Sequence, residues 1–179
     1  MSRLLVYEDT SPAQPVFNSI DPIEIAAELK KIHVGFQRWE NSVRLAEDAS
    51  AEEILSAYRP YLNTLMGDTG AGSADVVKLT PGHPQAEILR EKFLAEHTHI
   101  EPEIRFFVSG SGHFVLHENG YVYDTYCENG DLIMVPAGIR HWFDAGPQPN
   151  FTALRVFTDT AGWVAHFTGD NISKRFPVA

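Results

Sequence analysis

Cysteine is nearly missing from this chain. Cys127 stands alone among 179 residues, which excludes an intramolecular disulfide and any zinc site built from several thiolates. A reducing compartment suits such a composition. Positive charge is scarce too: 14 lysines and arginines face 24 aspartates and glutamates, for a formal net charge of −10. Nucleic-acid binding needs a basic face, so that class is set aside. A small anionic ligand is not, because a few arginines inside a pocket reverse the field locally. Long apolar runs are also lacking. Nothing approaches the roughly 20 apolar residues that span a bilayer, and the opening MSRLLVYEDTSPAQP has one basic residue and a short apolar run, unlike a signal peptide. The expectation is a cytoplasmic protein with neither membrane nor nucleic-acid partners. No segment reads as an interface, so a monomer is expected.

What is present is globular. A hydrophobic fraction of 44% and an aromatic fraction of 11% suffice for one domain with a core. The chain divides by hydrophobic period. In the first half, DPIEIAAELKKI places Asp21 as an N-cap, Pro22 at the first helical position and Glu24 three residues after the cap, a capping-box arrangement. SAEEILSAYRPYLNTLMG repeats the signal with Ser50 and Glu53, and Pro60 is expected to kink or end that helix. HPQAEILREKF reads as a third helix, while LLVYE and VVKLT read as strands. From His97 the period becomes two. Asn119-Gly120 separates two alternating runs, a hairpin signal, and Asn129-Gly130 marks a second turn. Short strands with glycine punctuation predict a barrel or jelly roll.

EHTHIEPEIRFFVSGSG puts His97, His99 and Glu103 within seven residues, and all three share odd parity, so one strand face can present them. His141 follows PAGIR after turns that can bring its strand alongside. Three imidazoles and a carboxylate make a divalent-metal set suited to iron, nickel, copper or zinc. On an octahedral ion four such ligands leave two adjacent positions, room for a substrate with neighbouring oxygens.

These residues carry a resemblance. His97, His99, Glu103 and Gly110 fit the first cupin motif, H-x-H-x3-E-x6-G, and Gly130, Pro136, Gly138 and His141 fit the second, with Ala145 where an Asn is usual. The chain therefore resembles the cupins, which implies a double-stranded β-helix (jelly-roll barrel), mainly β with N-terminal helices. Residues 1–179 would form one cupin domain, with 1–93 as a helix-rich part packing on the barrel, 94–168 as the barrel core and 169–179 as a tail. The helix before the barrel and the EHTHIEPEIRFFVSGSGHF and VPAGIRHWFD contexts resemble the acireductone dioxygenase family over nearly the whole chain. That resemblance implies one Fe(II) or Ni(II) per chain on His97, His99, Glu103 and His141. The implied substrates are O2 and the acireductone 1,2-dihydroxy-3-keto-5-(methylthio)pentene of methionine salvage. The Fe(II) form would give formate and 4-methylthio-2-oxobutanoate, and the Ni(II) form formate, carbon monoxide and 3-methylthiopropionate. Rival readings are another cupin enzyme (an isomerase or a different dioxygenase), a non-enzymatic small-molecule-binding cupin, and a structural barrel with a saturated zinc.

Several neighbours of the motifs are candidates in turn. Arg105 shares the parity of Glu103. Arg155 shares a face with Phe151, Ala153 and Phe157; if that face lines the barrel, the guanidinium needs an anion. On the residues alone both arginines have a bland alternative, a surface position or an ion pair with Glu96 or Asp144. Phe93, Phe143 and Trp163 read as ordinary core aromatics. The family resemblance implies catalytic pocket roles for Arg105 and Arg155, and a wall for the thioether tail made by Phe93, Phe143 and Trp163. His113 and His117 are spaced too widely on a strand for one ion and read as a wet face or as hydrogen-bonded barrel residues.

Overall fold

The computed structural model describes residues 1–41, 43–46, 48–158 and 164–176. In chain order the elements are β1 (Arg3–Glu8), β2 (Phe17–Ser19), α1 (Pro22–Lys30), β3 (Gly35–Arg38), α2 (Ala51–Ala57), α3 (Arg59–Thr69), β4 (Ser73–Leu79), α4 (Ala86–Leu94), β5 (His97–Thr98), β6 (Glu103–Glu118), β7 (Tyr121–Glu128), β8 (Asp131–Val135), β9 (Arg140–Asp144), β10 (Phe151–Phe157), β11 (His166–Phe167) and α5 (Ile172–Arg175). The mainly β fold with helices in the first half follows the change of period read in the sequence. The first half also supplies strands: β2 and β3, too short to show a period, join the sheets.

The helix starts obey their caps. Ser50 accepts from the Glu53 amide while the Glu53 carboxylate takes the Ser50 amide at 2.8 Å, a complete capping box. At α1 the box is incomplete. Asp21 caps the Ile23 amide at 2.8 Å, but Glu24 takes the Ser19 hydroxyl at 2.6 Å, and the Asp21 amide donates to Ser19 Oγ. Ser19, ending β2, intercepts the reciprocal bond. The second helical run divides at Tyr58, with Pro60 in the first turn of α3, where its missing N–H leaves no partner wanting.

All strand pairs are antiparallel. One sheet runs β11-β5-β9-β6-β7-β1-β2 and the other β3-β8-β6-β10-β4. The 16-residue β6 belongs to both. Its first half pairs with β8 and β10, its second with β7 and β9. Gly110 sits at the crossing with φ of 69°, and a Cβ there would lie 1.9 Å from the Asn150 carbonyl oxygen, so only glycine fits. Beside it, Ala153 opposes Phe107 and Thr152 opposes Ser109, a bulge at Val108. The extra residue reverses the parity of β6. Glu103, Arg105 and Phe107 face inward before it; Phe114 and Leu116 do so after it. The β6–β7 hairpin closes through Asn119 and Gly120, both at positive φ.

Three apolar clusters result. The barrel interior holds Phe107, Phe114, Leu116, Ile133, Phe143 and Phe151. Outside the second sheet, Ile104, Phe106 and Leu154 pack on Ile54, Tyr58, Leu62 and Leu65 of α2 and α3. Outside the first, Val115, Val122 and Trp142 pack on Ile172 and Phe176. Both faces of β6 are therefore covered, which explains its nearly continuous apolar sequence. No helix among the described residues is long and apolar enough to cross a membrane.

Candidate metal centre

The antiparallel pairing of β5 with β9 sets His97 directly opposite His141. His99 follows β5, and the Pro136–Ile139 turn before β9 is tied to it, the Gly138 amide donating to the His99 carbonyl at 2.9 Å. The three imidazoles are buried and gather with ring centroids 4.5 to 5.3 Å apart, and one ring nitrogen from each lies within 4.8 Å of the others. Glu103, opening β6, turns Oε2 toward the same space, 3.0 Å from His141 Nε2 and 3.6 Å from His99 Nε2.

Each histidine spends Nδ1 on a backbone carbonyl: His97 on Ala95 at 2.7 Å, His99 on Val164 at 3.2 Å and His141 on Ile139 at 2.8 Å. A carbonyl only accepts, so these contacts place the proton on Nδ1 and the lone pair on Nε2. Protonation of His97 and His99 is disfavoured. Burial and then the neighbouring His141 push His97 down to about 4, and burial lowers His99. Burial alone would raise Glu103, but the Arg105 guanidinium against it leads the effects that hold the carboxyl below its ordinary value. The centre is thus two or more neutral imidazoles beside a carboxylate, the protonation state a metal requires. Among the described residues the buried Nε2 of His141 has no hydrogen-bond partner: the Glu103 oxygen 3.0 Å away is an acceptor facing its lone pair. An orphaned buried nitrogen among such donors fits a divalent cation.

The surrounding cavity, about 400 Å³, is lined by the three histidines, Glu103, Arg105, Arg155, Phe93 and Phe143. Arg105 is buried, gives its NH2 to Glu103 Oε1 at 2.6 Å and lies over the rings of Phe114 and Phe143, 5.3 and 4.9 Å from their centroids. Its Nε has no partner among the described residues. Arg155 stands directly across from Arg105 in the β6–β10 register and from Asp75 in the β10–β4 register, and it forms a two-pronged pair with Asp75 at 2.8 and 2.6 Å. The ion pairs weighed from the sequence, with Glu96 or Asp144, do not form. Asp144 points out of the barrel to Arg90, at 3.0 Å on both prongs, and Glu96 takes His117 and Thr168. Phe93 meets Phe143 edge-on at 6.3 Å. Trp163 lies outside the described residues.

The cavity also has walls that sequence reasoning missed: Lys92, Phe114, Val164, Ala165 and Phe167. Phe114 was hidden by the parity switch at Val108. A second hollow, about 540 Å³, lies outside the first sheet beside Trp142 and Phe176 and has no histidine in its lining. Donor chemistry, not size, singles out the metal centre.

Residues 3–165 match the ARD/ARD' family. The chain belongs to that family. It is 66% identical to the acireductone dioxygenase of Acidiphilium cryptum, over 100% of this chain and 99% of the relative, and 58% identical to that of Granulibacter bethesdensis, over 100% of both. A solved structure, acireductone dioxygenase from Bacillus anthracis with cadmium ion in its active center, superposes with a TM-score of 0.79 at 27% identity, covering 93% of this chain and 98% of that one. Membership of the ARD/ARD' family fixes the fold as a cupin barrel and the activity, coarsely, as a metal-dependent dioxygenase.

His113 and His117 point out of the barrel in this ARD/ARD' chain. His113 bonds Asp124 at 2.7 Å; His117 bonds Glu96 at 2.7 Å and Asp9 at 3.3 Å. The Glu96 hydrogen bond, against burial and with help from Asp9, raises the His117 pKa above its ordinary value; Arg140 opposes it. A raised folded-state value stabilises below the unfolded value of about 6.5 and is lost as pH rises through the folded value. The stability gap between the protein and its His117→Gln variant, from urea unfolding, is expected to narrow from pH about 6 to about 9. A gap independent of pH would mean that the pair is not ionised.

Proposed function

We propose that this chain cleaves the acireductone 1,2-dihydroxy-3-keto-5-(methylthio)pentene with O2 in methionine salvage. The observation that carries the reading is the convergence of His97, His99 and His141, Nδ1 tied off, beside the unpartnered buried Nε of Arg105 in one cavity. His97, His99, His141 and Glu103 are the residues to hold one Fe(II) or Ni(II). Bound there, such an ion supplies Lewis acidity that stabilises an enediolate.

The chain's own groups account for the rest. Arg105 has an N–H to spare for a substrate oxygen while it neutralises Glu103, and Arg155, paired with Asp75, lines the same cavity. Phe93 and Phe143 offer an apolar wall to the methylthio tail, and the cavity volume suits a small molecule. Imidazole and carboxylate donors accept both metals, so the identity of the ion is read as selecting the products: formate and 4-methylthio-2-oxobutanoate with Fe(II); formate, carbon monoxide and 3-methylthiopropionate with Ni(II). The chain is read as a monomer, and the single buried cysteine is in keeping with a cytoplasmic enzyme. The chain is read as one cupin domain, residues 1–93 packing on a core of 94–168 with 169–179 as a tail.

Metal-free protein loaded with Fe(II) or Ni(II), mixed anaerobically with the acireductone and then given O2, tests this. The expected result is stoichiometric O2 uptake with a different product set for each metal. Absence of O2 uptake by the loaded protein would overturn the reading and favour an isomerase or a binding protein.

A further inference from the structure

Glu96 is a buried carboxylate, 1% exposed, immediately before the first histidine of the centre. Its bonds go elsewhere than the centre. Oε2 takes His117 Nδ1 at 2.7 Å, Oε1 takes the Thr168 hydroxyl at 2.7 Å, and the Glu96 carbonyl takes the Thr168 amide at 3.1 Å. Thr168 closes the short segment 164–168, which contains β11. That segment does two things at the cavity. The Val164 carbonyl accepts from His99 Nδ1, and Phe167 sets its ring edge against His97, 5.8 Å between centroids, at the mouth. Yet little apolar burial holds it: Val164 is 61% and Phe167 51% exposed, and β11 pairs with β5 over only two residues. A segment so lightly packed is placed by its polar ties.

We propose that Glu96, oriented by His117, and Thr168 form a latch of positioning residues. Through the 164–168 segment the latch fixes the carbonyl that orients His99 and the aromatic edge that narrows the cavity mouth. The inference rests on the metal-binding reading of the three histidines. It adds residues that touch neither the ligand nitrogens nor a substrate oxygen.

Thr168 is exposed, so replacing it leaves the core intact. Thr168→Val removes only the hydroxyl, and Thr168→Ser keeps it. Ni(II) affinity of the metal-free protein, by isothermal titration calorimetry, is expected to fall about 10-fold or more in Thr168→Val, within the 10–100-fold range for partners that orient metal ligands. Thr168→Ser should stay within about twofold of the parent, since the hydroxyl donor is retained. With Ni(II) saturating, KM for the acireductone should rise in Thr168→Val more than kcat falls, as a mouth residue loses its place. Parental Ni(II) affinity and KM in Thr168→Val, with an unaltered protein that binds one Ni(II) per chain, would overturn the latch alone. An unaltered protein that binds no Ni(II) would overturn the metal reading and the latch with it. Equal losses in Thr168→Val and Thr168→Ser would also overturn the latch.

Discussion

His141→Ala is expected to give a folded protein that keeps no divalent ion through dialysis and turns the acireductone over at least about a hundredfold more slowly, the upper range for loss of a mere orienting partner. Three features make this position decisive. It is the ligand candidate from the second half of the barrel, set opposite His97 by the β5–β9 pairing. Its Nε2 is buried with no hydrogen-bond partner among the described residues, so no other side chain loses a hydrogen bond at that nitrogen. Its Nδ1 is held by Ile139 at 2.8 Å, so the lone pair is pre-aimed. The same orphaned nitrogen means the metal-free protein should lose little stability: a buried polar atom without a partner is itself a cost of about 1–3 kcal/mol, which offsets part of the lost packing on Phe114. The combination to be measured is metal content by elemental analysis and thermal unfolding of metal-free protein. One ion per chain with full turnover would remove His141 from the centre.

Arg105→Met is expected to have the larger effect on stability. Glu103 is buried, and Arg105 NH2 meets its Oε1 at 2.6 Å. Removing one partner of a buried pair leaves an uncompensated charge and costs about 3–5 kcal/mol. For a chain of this size each kcal/mol moves the midpoint by about 2–4 °C, so a fall of roughly 6–20 °C is expected in the metal-free protein. Methionine keeps the bulk beside Phe114 and Phe143 but loses the contact of the guanidinium with their rings. A bound divalent cation stabilises the folded state by mass action and compensates Glu103, so the deficit should shrink when metal is added. Turnover should stay low in the loaded variant, because the unpartnered Nε–H that the proposed reaction offers to a substrate oxygen is gone. Equal melting of the metal-free variant and the unaltered protein would show that Arg105 does not stabilise Glu103.

Much of this was legible in the sequence because it depends on local spacing. The Ser50–Glu53 box, the Asn119-Gly120 hairpin and the break at Pro60 each follow from chemistry within a few residues. The two histidine-bearing segments were legible as a site because a strand pair can join them. The rest depends on register. Nothing near Arg155 names Asp75 as its partner; the β10–β4 alignment does. Nothing in FVSGSGHF shows that a bulge at Val108 turns Phe114 inward. At α1, Ser19 competes for Glu24 from outside the helix, and so the box expected at Asp21 stays half made. Val164 and Phe167 join the site only through β11, a strand too short to show a period.

The most direct measurement is X-ray absorption at the metal edge of protein loaded with Fe(II) or Ni(II), before and after anaerobic addition of the acireductone. Three imidazole nitrogens with oxygen donors are expected, and substrate should change the oxygen part of that shell while the imidazoles stay. A shell with fewer imidazoles, or a full one that substrate leaves untouched, would contradict an open centre built by His97, His99 and His141.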